Sequence, residues 1–225
     1  MTAAPPDLEP LLVGEHPPQR AFSYARDRWQ TWTGHLDGVQ EVLAGLPPAL
    51  DRQTTAATVE ALVPANVAGA FTVAMIWGHG ASGYGPYRTA RVLTGSAAPA
   101  GAPLSGDVGL RLADSAEVAR RDGAVEGYRF LNNRPGRITG LGPAFFTKWL
   151  YFVTARGQTT MAAAAPVLDA LVLTWLGSRG VTLRPGYTDD YARYVDLLGS
   201  WGEPHGLPPA AVEERIFRLI RDDGA

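Results

Sequence analysis

Residues 140–152 read GLGPAFFTKWLYF, and on a helix that run has no polar face. Three and four positions from Lys148 stand Ala144, Phe145, Tyr151 and Phe152, all uncharged. Phe146, Trp149, Leu150 and Val153 occupy the opposite side. A helix that is apolar all round must be enclosed on every side, so the remaining chain has to wrap it. With 225 residues, 46% of them hydrophobic and 19% charged, the chain can do so as an ordinary globular protein.

The rest of the pattern is helical. Few runs alternate with period two, so the expected class is all-α. Helices are expected over 22–32, 54–63 (stopped by Pro64), 65–77 (ended by Gly78) and a short segment opened by Pro86. Residues 94–107, rich in Gly, Pro and Ala, form the best candidate subdomain boundary in a single domain over 21–225. Beyond it, Asp114 or Ser115 can cap a helix to about Leu131. Further helices are expected over 142–154, 169–176, 188–201 and from Pro209. Residues 1–20 carry several prolines and read as a loosely ordered arm without a secretory signal. The most apolar run, AFTVAMIW, is too short to span a bilayer, so the expectation is a soluble, cytoplasmic protein.

With no cysteine, the chain has no thiolate nucleophile, disulfide or cysteine zinc site. The four histidines lie at no metal-ligand spacing and read as exposed or core residues; no metal is expected. GHGASGYG matches G-x-G-x-x-G at Gly78, Gly80 and Gly83, but no strand-turn-helix rhythm surrounds it. It reads either as a nucleotide loop or as a helix end followed by a glycine turn.

Lys148 is the only lysine, against nineteen arginines. Burial lowers an amine's pKa and makes it nucleophilic near neutral pH, which a guanidinium cannot match. The alternatives are a lysine that snorkels to the surface or pairs with a carboxylate. Two neighbouring features favour chemistry. Residues 127–168 hold five cations (Arg129, Arg134, Arg137, Lys148, Arg156) and no acid, and Gly140 and Gly142 stand just before a helix, where free amides can hold a phosphate. Asp169 ends the block as either a helix cap or a group facing a substrate.

A helix, a glycine turn, a second helix with a lysine and then an aspartate is the order found in helix-hairpin-helix DNA glycosylases. The chain resembles that superfamily, most closely bacterial proteins with an 8-oxoguanine DNA glycosylase fold. The likeness lies in WGHGASGYGPYRTA, GYRFLNNRPGRITGLGPAFFTKWLYF and APVLDALVLTWL, within residues 65–176. It implies a compact all-α glycosylase domain with its hairpin and catalytic segment over 127–177. Lys148 would attack C1′ of a damaged nucleoside and form a Schiff base, and Asp169 would stabilise the sugar cation. Gly140, Gly142, Arg134, Arg137 and Arg156 would meet DNA phosphates, though the arginines can equally be solvated. Trp149, Phe152, Trp77 and Phe217 would line a base pocket or else pack the core. The implied partner is duplex DNA bearing a damaged base, met by a monomer that needs no cofactor. One departure stands out. In the best-known members the lysine follows the second hairpin glycine by two residues, whereas here PAFFT intervenes and places it ~6 Å further along the helix. The lesion is left open, as is a protein that binds DNA without catalysis.

Overall fold

The computed structural model describes residues 3–63 and 65–222. Its α-helices are α1 (Glu9–Leu12), α2 (Arg26–Thr33), α3 (Val39–Gly45), α4 (Arg52–Leu62), α5 (Val67–His79), α6 (Gly85–Thr94), α7 (Gly106–Asp122), α8 (Ala124–Asn132), α9 (Pro143–Ala155), α10 (Ala170–Gly177), α11 (Thr188–Gly202) and α12 (Pro209–Asp222). The only described strands, β1 (Phe22–Ser23) and β2 (Ala49–Leu50), form one antiparallel pair. The all-α expectation holds.

The apolar run does become the central helix. Phe146 through Ala155 of α9 are all buried, and α4, α5, α7 and α8 each pack against it. Helix α5 is buried from Ala68 to Trp77 and crosses α9 with Phe71 edge-on to Trp149 at 5.7 Å. Local chemistry sets the helix starts. Asp51 accepts the Thr54 amide at α4, Asn66 accepts the Gly69 amide at α5, and Ser105 accepts the Val108 amide at α7.

Three expectations need correction. The helix expected from Asp114 or Ser115 to Leu131 is two helices, because Gly123 at φ 94° breaks the chain between α7 and α8. The cap is Ser105, while Ser115 is buried inside α7. Segment 94–107 is a bridge rather than a divider: the Ser105 amide returns to Leu93, and α7 packs on both α5 and α6. Finally, the segment 1–20 is no loose arm where it is described. Leu8 and Leu12 are fully buried, Arg179 pairs with Asp7, and Arg215 and Arg218 of α12 donate to Leu11 and Pro17 carbonyls. Burying two leucines outweighs the prolines, which only restrict the local backbone.

Between α9 and α10 the chain runs through residues 164–169 without regular structure, yet every one of them is buried. A buried irregular segment must find hydrogen bonds outside itself. Two threonines on α9 supply one side: Thr154 Oγ1 accepts the Ala165 amide (2.8 Å) and Thr147 Oγ1 the Leu168 amide (3.1 Å). Two tyrosines on α11 supply the other, with Tyr191 donating to Pro166 O (2.9 Å) and Tyr194 to Val167 O (2.8 Å). Burial raises both phenols well above their ordinary pKa, so they remain donors at neutral pH. Tyr194→Phe is expected to leave the Val167 carbonyl unpaired and to cost about 1–3 kcal/mol in urea unfolding.

Candidate active site

Lys148 lies on the second turn of α9 with its side chain 11% exposed. Nζ donates to the Gly78 carbonyl at 3.0 Å and pairs with Asp169 Oδ2 at 3.3 Å. It also sits 5.2 Å from the centre of the Phe145 ring. Of the two bland readings of this lysine, the structure has the carboxylate partner and not the route to the surface. Asp169 divides its two oxygens. Oδ1 accepts the Leu171 and Val172 amides as the cap of α10 (3.1 and 3.2 Å), and Oδ2 faces the amine. The cap reading therefore describes Oδ1, while Oδ2 is held by the lysine.

Helix ends reinforce the pair. Gly78 belongs to the last turn of α5, whose partial negative charge suits an ammonium, and Asp169 sits at the positive start of α10. Gly78 also makes room, since a Cβ there would stand 3.0 Å from Lys148 Cδ. The glycine motif thus lets a side chain pass across a helix end. With helix α5 before it instead of a strand, it lacks the frame of a dinucleotide loop.

His79 follows Gly78 and stacks on Phe145, ring centres 4.2 Å apart. Burial, then Lys148 and Arg88, push its pKa down to about 4, so it is neutral at pH 7. Sequence reasoning set this histidine aside for lack of metal spacing. Phe145 was visible as a neighbour of Lys148 on the helix face, but its contact with His79 was not.

The four candidate pocket aromatics separate. Trp149 is in the core, its indole donating to Ser115 Oγ at 2.9 Å, so plain packing is its role here. Phe152 is buried edge-on against Trp77 at 5.0 Å. Trp77, adjacent to Gly78, donates to Gln19 Oε1 at 2.8 Å. Phe217 is half-buried on α12 near Arg221. Arg52 ties this region together, with its guanidinium 5.0 Å from the Trp77 ring, 4.8 Å from Tyr151 and 3.2 Å from Glu213. Arg52 and Glu213 are only 4% and 1% exposed. Burial, against the opposing pull of Arg52 and with a push from Asp169, raises Glu213 to about 7. No sequence spacing announced this pair, because its members stand on α4 and α12.

At the start of α9, the loop 133–142 turns through Gly140 at φ 82°. The amides of Gly140, Gly142 and Ala144 meet no acceptor among the described residues. Gly140 and Gly142 line a cleft of about 750 Å³ together with Arg88, Arg111, Arg134 and Arg137. Arg111 pairs with Asp107, while the other three pair with no described carboxylate. Arg134 and Arg137 were expected beside these glycines, whereas Arg88 and Arg111 come from α6 and α7 and were missed. Arg156 is elsewhere. It ends α9 at the opposite pole, roughly 20 Å away by helix rise, beside Arg120.

The fold therefore brings an enclosed amine–carboxylate pair together where α5, α9 and α10 meet, next to a cleft lined by arginines and glycines. The chain matches, over residues 15–217, the model of the family described as "Putative 8-oxoguanine DNA glycosylase OGG-like protein", and it belongs to that family. Neither a curated protein nor a solved structure matches it. Among the described residues no helix is long and apolar enough to cross a membrane, and no group of three metal-ligating side chains occurs.

Two predictions concern the charges around the site. Glu213→Leu alone strands a buried guanidinium and should cost roughly 3–5 kcal/mol, whereas Arg52→Met with Glu213→Leu should recover most of it in chemical denaturation. The second concerns pH. A depressed histidine stabilises the fold above its ordinary pKa of 6.5, a contribution lost as pH falls toward 4. A raised carboxyl does the opposite, stabilising below 4.5 and losing that contribution as pH rises to about 7. His79→Gln should therefore abolish the first trend, leaving a Tm that falls as pH climbs from 4.5 to 7.

Proposed function

We propose that this protein is a DNA glycosylase with an associated lyase step, acting on an oxidised purine in duplex DNA. The observation that carries it is the Lys148–Asp169 pair, 3.3 Å apart and nearly enclosed, beside a cleft that can hold backbone phosphate. The family match supports 8-oxoguanine as the base.

A base in a stacked duplex offers no access to its sugar, so the nucleotide must first be extruded. The free amides of Gly140 and Gly142, with Arg134 and Arg137, grip the backbone next to it. The Lys148 ammonium passes a proton to Asp169 Oδ2, and the freed amine attacks C1′. The C1′–N bond breaks, with its electron pair leaving on the base, which takes the proton that Asp169 received from Lys148. The new C1′–N bond on Lys148 rearranges to an imine as the sugar ring opens, and loss of the 3′ phosphate by β-elimination completes the lyase step. Asp169, ionised again once that proton has passed to the base, stabilises the positive charge that develops on the sugar. This chemistry needs only an amine and a carboxylate. In this reading Trp77, next to Gly78 and backed by the buried Phe152, borders the extruded base, Phe217 of α12 is a further candidate, and Trp149 and Arg156 take no part.

The test is borohydride trapping on duplexes carrying 8-oxoguanine opposite cytosine or an abasic site. Wild type should give a covalent adduct on both, Lys148→Gln on neither, and Asp169→Asn should slow trapping about 10²–10³-fold. An adduct on the abasic duplex alone would keep the mechanism and change the base. Salt-sensitive DNA binding with no adduct on either duplex would instead make the protein a catalytically silent DNA binder.

A further inference from the structure

β-Elimination has to take a proton from C2′ of the sugar, and neither member of the Lys148–Asp169 pair is free to receive it. Lys148 is by then bonded to C1′. Asp169 caps α10 with Oδ1 and faces the amine with Oδ2. A proton accepted there would remove the negative charge while the positive imine still lies beside it.

The ring of Phe145 gathers three nitrogen-bearing groups. His79 stacks on it with ring centres 4.2 Å apart, while the Arg88 guanidinium and Lys148 Nζ stand 5.1 and 5.2 Å from its centre. Of the three, only a neutral imidazole has a lone pair to offer at pH 7. Burial first, then the Lys148 and Arg88 cations, keep His79 in that form, with a pKa of about 4. No described residue bonds to either of its ring nitrogens, and the side chain is half-buried rather than sealed. The ring is also held in place. Trp29 lies 6.4 Å from it, and Gly85 packs so close that an added Cβ would come within 2.6 Å of it.

Its neighbours match the two ends of the reaction. Gly78, the preceding residue, supplies the carbonyl that Lys148 Nζ meets at 3.0 Å, and Arg88 lines the arginine cleft. A phosphate beside Arg88 would offset one of the two cations that depress the imidazole, so bound DNA makes the ring a better base.

Resting on the glycosylase–lyase reading above, we infer that His79 is the catalytic base of the elimination, taking the C2′ proton of the sugar bound to Lys148. The C2′–H electron pair becomes a C1′–C2′ double bond as the imine pair moves onto nitrogen. That nitrogen pair then returns, the double bond shifts to C2′–C3′, and the C3′–O bond breaks with its electrons leaving on the 3′ phosphate. The departing phosphate, met by Arg88, takes the proton from the imidazolium. Water hydrolyses the unsaturated imine and returns Lys148 as the amine.

The experiment uses the full chain and a duplex with one natural abasic site, with two readouts: borohydride trapping of the imine, and strand cleavage when borohydride is withheld. His79→Phe keeps a ring against Phe145 and removes both nitrogens. It should still trap the duplex while cleaving it roughly 10²-fold more slowly than wild type. His79→Ala should show the same split, and free imidazole should restore its cleavage. Cleavage by His79→Phe at the wild-type rate would overturn the assignment and leave the Schiff base standing. Trapping and cleavage that fall together would also overturn it, because the ring would then only hold Phe145 and Lys148 in place. A wild-type chain that traps but never cleaves would remove the elimination, and His79 with it, while keeping the lysine chemistry. Absence of trapping by wild type on a duplex that it binds would instead sink the lysine chemistry on which the inference rests.

Discussion

The structure turns on how a buried, irregular stretch of chain is held. Segment 164–169 has no helix or strand to satisfy its backbone, so each of its polar groups is a liability inside the core. Thr147 and Thr154 on one side and Tyr191 and Tyr194 on the other hold it in a single path. Asp169 is the last residue of that path, and its position relative to α9 follows from bonds made up to four residues earlier. The same helix that carries Lys148 carries both threonines. Amine and carboxylate are therefore aligned by α9 itself.

Burying charge beside that path is costly, and the molecule offsets the cost with helix ends more than with solvent. Lys148 meets the carbonyl end of α5 and Asp169 the amide end of α10, each the favourable pole for its sign. Arg52 and Glu213 form a second enclosed pair nearby, where burial is the main cause that raises the Glu213 carboxyl and Asp169 adds a smaller push. Apart from Asp190, which meets exposed arginines at the surface, every buried charge among the described residues belongs to one of these two pairs.

Much of this was legible in the sequence because it is local. An all-apolar helix with one lysine announces burial by composition alone, and glycines before it announce free amides. An aspartate at the head of VLDALVL announces a cap. What could not be read is what meets across the fold. Gly123 breaking a long helix was hidden inside a continuous helical pattern, and Leu8 and Leu12 were masked by the prolines around them. Gly78 read as a nucleotide loop or as a helix end, and neither reading included the lysine that crosses it. Arg52 with Glu213, and His79 with Phe145, join elements whose pairing no periodicity records.

The division of labour between the two oxygens of Asp169 has a consequence for how that residue can be replaced. Asparagine keeps the shape but makes the two ends of the side chain unlike. The Leu171 and Val172 amides require an acceptor, so the helix start selects the rotamer with the amide oxygen inward. The amide nitrogen is then turned outward, toward Nζ of Lys148. Two sets of N–H bonds would face each other where an ion pair stood. The substitution inverts the contact rather than erasing it, and the lysine is pressed away by the very bonds that keep the helix intact.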